Sequence, residues 1–478
     1  MAAAVAYYLR TGATLYWGDA EAHLNIARRI VDSRTPGWNQ VGSTWLPLPH
    51  LLMIPLVRND RLWQTGLAGA ITSAACMTLA ATFLFAAVRR LLDSTLAAGT
   101  AAAVFLLNPN TLYVGSIPMT EPVWFASFFA VFYFTVRFTE TRGWGAAAGA
   151  GLAACAATLT RYEAWFLLPF VAIYMWRRRG SGAILFCVLA GLGPALWLAH
   201  NRWYFGDPLY FYRGPWSALA IQGKLPYPGK GNWRVAAQYF FAAGRLVAGL
   251  PGLIAGAAGA LVALSRRLIW PVFLFLLPPV FYVWSIHSSG TPVFVPALEP
   301  HGWYNIRYAM AFLPLVALGC AAIAAFGRIP ALAVLLVAFA PFAVHFNERP
   351  ITWQESDVNS RGRREWTSQA AAYLRATAGP HETYFTSFGD MSGIFRTLGV
   401  PLRDTLTGDM NPQFLMASSR PDLLLWEDWA VVMGGDDVQG IIDRARLLGP
   451  RFELSERITV KGQPVIEIYH RVYDNPVR

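Results

Sequence analysis

"EPVWFASFFAVFYFTVRFTETRGWGAAAGAGLAACAATLTRYEAWFLLPFVAIYMWRRR", residues 121–179, holds three apolar runs separated by two short charged turns. A bilayer core takes about 20 apolar residues per helix, with a range near 17–25. The runs therefore read as membrane spans at 121–137, 143–159 and 163–177. The turn after the first run carries Arg137 and Arg142, and the third run ends on Arg177, Arg178 and Arg179. The turn between the second and third carries Arg161 with Glu163. Cytoplasmic loops are enriched in arginine and lysine, so the first turn and the triple arginine face the cytoplasm.

The same pattern extends along the chain. Further spans are expected at 1–17, 64–88, 94–108, 182–200, 239–264, 268–287, 304–326 and 329–346, eleven in all. With the N-terminus cytoplasmic, the inner loops carry Arg89 and Arg90, Arg137 and Arg142, Arg177 to Arg179, Arg266 and Arg267, and Arg328. Loops 18–63, 201–238 and 288–303 then fall outside, with everything beyond residue 346. Composition agrees: the 478 residues are 55% hydrophobic and 14% charged, against roughly 25% charged in soluble domains. The first span holds Arg10 near its middle, which hydrocarbon penalises, so either Arg10 snorkels or the natural start lies upstream. The opening residues show no basic n-region and no cleavage site of a signal peptide.

From residue 347 the character turns polar, then alternates helical and strand-like patterns. "REWTSQAAAYLRA" reads as an amphipathic helix, and "ETYFTSF", "DLLLWED" and "PVIEIYHRV" read as strands. "DDVQGIIDRARLLG" reads as a helix closed by Gly449. The expected organisation is a polytopic α-helical membrane domain over 1–346 and a small extracytoplasmic α/β domain over 347–478. The net charge of +11 does not imply nucleic acid: only three of 39 basic residues are lysine, and many arginines sit in pairs between apolar runs, as topology signals do. Cys76, Cys155, Cys187 and Cys320 lie far apart inside apolar runs and read as small buried hydrophobes.

Charges gather at the outer turns. In "LYWGDAEAHLNIARRIVDS" (15–33), Leu24, Ala27, Ile30 and Val31 form one stripe, with Arg28, Arg29 and Asp32 off it, as on a helix lying in the membrane interface. Asp19 is either the cap of that helix, with Glu21 complementing its dipole, or a general base held at the boundary. Glu121 either fills an acidic first turn capped by Thr120, with proline early in the helix, or faces the same site. Arg161 and Glu163 either pair and anchor headgroups or line a cavity at membrane depth. "EPHGWYNIRYAMAFLP" (299–314) brings His301, Tyr304, Arg307 and Tyr308. Its tyrosines are ordinary belt residues, whereas Arg307 lies inside the span and suits a phosphate. His200, His287 and His345 sit near span ends and read as structural.

Together, "WGDAEAHLNIARRI", "MTEPVW", "LTRYEAWFLLP", "NRWYFGDPLYFY" and "WYNIRYAMAFLPL" resemble the GT-C superfamily of membrane glycosyltransferases. The resemblance covers residues 5–346 in matching order, and its nearest groups are the protein O-mannosyltransferase-like and lipid A aminoarabinose transferase-like enzymes. It implies a GT-C fold, a polyprenyl-phosphate sugar donor and inverting transfer on the extracytoplasmic side of the plasma membrane, and the richness in alanine and arginine points to a bacterium. The acceptor would be a lipid, a glycan or a protein. It makes Asp19 the candidate base and Glu121 the acidic residue of the second outer turn, and it places Arg307 near the donor phosphate. In the aminoarabinose transferases a "KPP" stretch supplies a lysine toward phosphate. The comparable "STWLPLPHLL" (43–52) has none, so His50 or Arg161 stands in for it.

Bond chemistry leads to the same mechanism. A polyprenyl phosphate is already a good leaving group, so no nucleotide and no P-loop is needed. Asp19 would activate the acceptor, Glu121 or Glu21 would position it, and Arg307 and Arg161 would stabilise the developing phosphate charge. His23, His50, Glu163, His301 and Tyr304 complete the substrate-binding candidates. A divalent cation, Mg or Mn, is admitted by carboxylates such as Asp19 and Glu121. Asp19, Glu21 and His23 cannot all ligate one ion from a regular helix, because i and i+2 do not share a face. The competing reading is a transporter or flippase, which repeats and broken helices would favour.

Overall fold

The computed structural model describes residues 1–223, 225–344, 348–408, 412–448 (not the Leu448 side chain) and 451–472. The chain divides into two compact units. One comprises 1–11, 43–49 and 71–355, the other 12–42, 50–70 and 356–478.

The first unit is helical and apolar. Leu67–Leu92, Glu121–Thr141, Gly180–Phe205, Ile269–Ser288 and Ile306–Ala324 are each long and apolar enough to cross a bilayer. Trp233–Ala248 and Leu250–Ser265 qualify as a pair, bent by 101° at the break. Shorter apolar helices at Thr95–Leu106, Glu163–Trp176 and Arg328–Val344 stand where spans were expected, and Trp144–Thr158 does too. The protein is a multi-pass membrane protein.

Two expected spans come out differently. Residues 1–17 form only the nine-residue helix Ala2–Arg10, about 14 Å long at 1.5 Å per residue, against a hydrocarbon core near 30 Å. Gly12 at φ +73° stops it, and a 3₁₀ turn, Ala13–Leu15, follows. Arg10 lies in the last helical turn, where a cation complements the helix dipole. The expected span 239–264 is broken at Gly249, whose φ is +71°. A Cβ there would lie 2.6 Å from Pro341 Cγ, so both conformation and space call for glycine. The freed carbonyl of Val247 accepts from Asn108 Nδ2 at 3.0 Å and Asn110 Nδ2 at 3.1 Å.

Close packing here rests on small residues and stacked rings. A Cβ on Gly259 would sit 1.9 Å from the Gly319 carbonyl oxygen, so Leu250–Ser265 and Leu313–Ala324 touch backbone to backbone. The Glu121–Thr141 helix buries Phe125, Phe128, Phe129 and Phe132 among Phe105 and Phe275. That packing fixes the helix whose first residue is Glu121.

The second unit is built on a five-stranded sheet of order β2-β1-β3-β5-β4. Its strands are β1 (Tyr384–Thr386), β2 (Thr405–Thr407), β3 (Trp429–Met433), β4 (Arg451–Ile458) and β5 (Ile466–Val472). β1 runs parallel to β2 and β3, while β5 is antiparallel to β3 and β4. Side chains alternate between two cores, as strand geometry requires. Tyr384, Trp429, Val431, Ile466 and Ile468 pack with Trp366, Ala370 and Leu374 of the helix Ile351–Thr377. Phe385, Leu406, Ala430, Val432 and Tyr469 pack with Val438, Ile441, Ile442 and Ala445 of Asp437–Leu448.

The expected strand "DLLLWED" is displaced. Pro421–Leu424 forms a helical turn, with the proline at a first-turn position that suits it, and the strand begins at Trp429. β2 and β4 escaped the sequence reading, and Gly449 and His345 lie outside the described residues.

The helix expected in the first outer loop runs over Gly18–Arg29. Residues 20–29 are all buried, so the helix does not present a polar face to water as an interfacial helix does. Arg28 donates to Asp32 Oδ2 (2.7 Å), the Val57 carbonyl (2.6 Å) and Asp60 Oδ1 (2.6 Å), and it stacks 4.7 Å from the Trp63 ring. Arg29 donates to the Gln40 carbonyl at 2.6 Å and lies over Phe388. Every polar group off the stripe has found a protein partner, which is what burial of charge demands.

Candidate functional site

Three of the turns selected from sequence converge in the first unit. Glu121 opens its helix after Thr120, with Pro122 next. Arg161 lies between Trp144–Thr158 and Glu163–Trp176, and Arg307 lies in the 3₁₀ turn Ile306–Phe312. The Arg161 turn is pinned by Tyr162, whose hydroxyl donates to the Thr44 carbonyl (2.8 Å) and accepts from Trp197 Nε1 (3.0 Å).

Arg161 is the hub. Its Nε donates to Glu163 Oε1 at 2.5 Å, and its Nη1 to Thr120 Oγ1 at 2.8 Å and Glu121 Oε1 at 3.0 Å. Its Nη2 donates to the Tyr282 hydroxyl at 2.9 Å, which in turn donates to Glu163 Oε1 at 2.6 Å. Arg307 Nε donates to the same Glu121 oxygen at 3.0 Å. The Tyr308 ring stacks on Tyr282 at 4.9 Å and lies 5.3 and 5.2 Å from the Arg161 and Arg307 guanidinium carbons. Glu121, Glu163 and Arg307 are at most 5% exposed. Two guanidinium groups thus face two carboxylates out of water, each held on more than one side. One Glu121 oxygen already faces both guanidinium groups. Among the described residues no group of three or more His, Cys, Asp or Glu is arranged to hold a metal ion.

The remaining candidates lie in the second unit, apart from His301 and Tyr304. Asp19 sits half-buried in the first turn of Gly18–Arg29, one residue past its start, and Trp17 occupies the cap position. Asp19 is therefore not the cap. Glu21 accepts from Arg396 Nε (2.6 Å) and Nη2 (3.0 Å) and from Asn25 Nδ2 (3.1 Å). Burial alone would raise its carboxyl, but the charge and hydrogen bond of Arg396, with Arg363 and Asn25, hold it below the usual value. His23 Nδ1 and His50 Nε2 share a hydrogen bond of 2.9 Å. Burial, then the His23 and Arg29 charges, push His50 well below the ordinary imidazole range. It stays neutral at physiological pH and does not supply the positive charge that the "KPP" lysine would.

His301 is exposed and bonded to the Pro296 carbonyl. Tyr304 pairs through its backbone with Phe294 and is 36% exposed. Neither is among the groups bonded to Arg161. His200 is buried against Trp197, and His287 stacks on Trp233, as structural histidines do.

Sequence reasoning passed over Tyr282, Thr120 as an acceptor, and the ring of Tyr308. Tyr282 carries no signal inside "PPVFYVW", where it looks like one more apolar-run aromatic. Arg396 and Arg363 were missed as well. A lone cation in the apolar stretch "GIFRTL" was the available hint for Arg396.

No family model matches the sequence, and no curated protein does. The fold has close counterparts among solved structures. ArnT, the lipid A aminoarabinose transferase, from Cupriavidus metallidurans bound to undecaprenyl phosphate aligns at TM-score 0.56 and 14% identity, over 97% of each chain. The same protein in its apo state aligns at TM-score 0.58 and 14% identity, over 94% of this chain and 93% of that one. The fold is the GT-C fold, as the sequence resemblance implied.

Proposed function

We propose that the protein is an inverting glycosyltransferase that moves a sugar from a polyprenyl-phosphate donor to an acceptor on the extracytoplasmic side of the bacterial plasma membrane. The observation that carries this reading is the buried Arg161–Glu121–Arg307 constellation. Fixed cations held by carboxylates inside a membrane protein form a preorganised site for charge that develops on a departing phosphate. Fold similarity to an ArnT bound to undecaprenyl phosphate supports the lipid-linked donor.

The roles follow from the contacts. Arg161 and Arg307 stabilise the leaving phosphate. Glu121, between two cations, serves to orient both guanidinium groups, and Glu163 with Tyr282 does the same for Arg161. Glu21 is committed to Arg396 and positions structure rather than substrate. Asp19, the base that the resemblance implies, takes the acceptor proton as the acceptor oxygen attacks the anomeric carbon and the carbon–phosphate-oxygen bond breaks. Such general-base help contributes about 10²–10⁴-fold.

One observation favours a second reading, transport of a lipid-linked substrate: the 101° break between Trp233–Ala248 and Leu250–Ser265, since transporters use broken helices. In transporters the freed carbonyls coordinate substrate ions, whereas here the Val247 carbonyl is occupied by two asparagine side chains. The deciding experiment measures release of polyprenyl phosphate from a panel of polyprenyl-phosphate sugars by purified wild type and Asp19→Asn. Turnover in the wild type, lost in the variant, is expected. Equal turnover in both removes Asp19 from the mechanism, and no turnover with any donor and acceptor returns the protein to transport.

A further inference from the structure

The second unit contains a cavity of about 150 Å³, well above the ~10–15 Å³ that one water requires. Three arginines line it, Arg363, Arg364 and Arg396, against two carboxylates, Glu21 and Asp390. The helix Ile351–Thr377 presents Arg364, Thr367 and Ser368 to it at i, i+3 and i+4 spacing, one face of a helix. The opposite wall is the turn that leads into the Asp19 helix, with Gly12, Leu15 and Tyr16.

The cations are held in fixed positions. Arg396 grips Glu21 with two nitrogens. Arg363 donates to the Leu15 and Tyr16 carbonyls at 3.2 and 2.7 Å and to Asp390 at 3.2 Å. Arg364 lies 3.8 Å from the Tyr16 ring centre and donates to Asp357 at 2.6 Å. Asp390 is 52% exposed, so its hold on Arg363 is the weakest of these, as surface pairs are. Asp357 is shared with Arg361, which donates to its Oδ2 at 2.9 and 2.6 Å, so four arginines face three carboxylates here, with hydroxyls beside them. The cavity also adjoins Asp19: a Cβ on the preceding Gly18 would lie 3.6 Å from Arg363 Nη1 and 3.6 Å from Asp390 Oδ1.

We propose that this cavity binds an anionic group of the acceptor, a phosphate monoester or a carboxylate, and so selects acceptors that carry such a group near the attacked hydroxyl. The inference rests on the transferase reading with Asp19 as base. Arginine recognises both anions by paired, planar hydrogen bonds. A second anion replaces Asp390 at Arg363 and meets Arg364 and Thr367 from the helix side. The anionic group makes no covalent change; it holds the acceptor so that its hydroxyl reaches Asp19.

Two measurements on the full-length protein in detergent test this. The first is calorimetric titration with inorganic phosphate and, separately, with glucuronate, on wild type, Arg364→Gln and Thr367→Val. Saturable binding is expected in the wild type, weakened about tenfold or more in Arg364→Gln and several-fold in Thr367→Val. Thr367→Val decides should Arg364→Gln fail to fold. The phosphate and glucuronate arms tell which anion is taken. No binding of either, or binding indifferent to both substitutions, overturns the site. The second compares kcat/KM for acceptor pairs that differ only by one phosphate or carboxylate group. A preference of about tenfold for the charged member is expected, collapsing toward unity in Arg364→Gln. Turnover with no such preference overturns the proposal and leaves the transferase standing. Anion binding without polyprenyl phosphate release from any donor does the reverse: the anion site stands, and its assignment to an acceptor falls.

Discussion

Replacing Arg161 with methionine keeps most of the stem and removes the charge. In the wild type this guanidinium donates to Glu163, Thr120, Glu121 and Tyr282. The variant leaves Glu163 with only the Tyr282 hydroxyl and Glu121 with Arg307, so the cluster gains one uncompensated negative charge out of water. Breaking a buried ion pair by deleting one partner costs about 3–5 kcal/mol. The double variant Arg161→Met/Glu163→Gln restores the balance, and coupled neighbours of this kind recover about 0.5–3 kcal/mol. Equilibrium unfolding in an SDS titration should therefore rank wild type above the double variant and the double variant above the single one. Donor turnover should behave differently. Loss of a transition-state donor costs about 10²–10³ in kcat, and Glu163→Gln should not bring it back. If the double variant unfolds no later than the single one, charge balance is not what the cluster supplies. If Glu163→Gln restores turnover, Arg161 serves to hold Glu163, and the phosphate assignment is wrong.

Glu21 carries a pH dependence in the second unit. Its carboxyl is held below its ordinary value of 4.5, so the unfolded chain binds a proton there before the folded one does. The stabilisation is complete above about pH 4.5 and is lost as pH falls through the folded value, and a Glu21→Gln variant should show a flatter acid limb in thermal unfolding at a lower plateau. At the helix contact of the first unit, Gly259→Val has no room, since even a Cβ would meet the Gly319 carbonyl at 1.9 Å. The expected outcome on detergent size-exclusion is loss of the monodisperse peak, whereas Gly145→Val, with nothing within 4 Å, should elute as wild type.

Much of the first unit was legible because a bilayer imposes a length and a charge rule on every helix. The spans around residues 121–177 come out within a few residues of their expected limits for that reason. What failed were the places where local chemistry overrides apolar length. Gly12 and Gly249 adopt positive φ in runs whose hydropathy hides the break. The α/β residues were harder to read. β2 is three residues long, too short to set up an alternating pattern, and Pro421 converts an apolar run into a helical turn just before the true strand.

For the site, sequence identified the charged residues and offered the Arg161–Glu163 pair, but not the partners that lie farther along the chain. Glu121, Arg161 and Glu163 each had an acceptable local explanation, as an acidic first turn, an ion pair or a headgroup anchor, while Arg307 suited a phosphate. Only their meeting across intervals of 40 to 186 residues shows that they satisfy one another. The opposite happened to Glu21 and Arg28, which also looked like exposed charges of a helix at the membrane surface. Burial forced them to take partners far along the chain, Arg396 at a separation of 375 residues and Asp60 at 32. A carboxylate so committed is no longer available to move a proton. Asp19 sits in the same helix in a half-buried position, and its neighbour Glu21 is neutralised by Arg396 rather than repelling it. The helix can thus carry two acidic residues in its first turn, because the buried one is paired with Arg396.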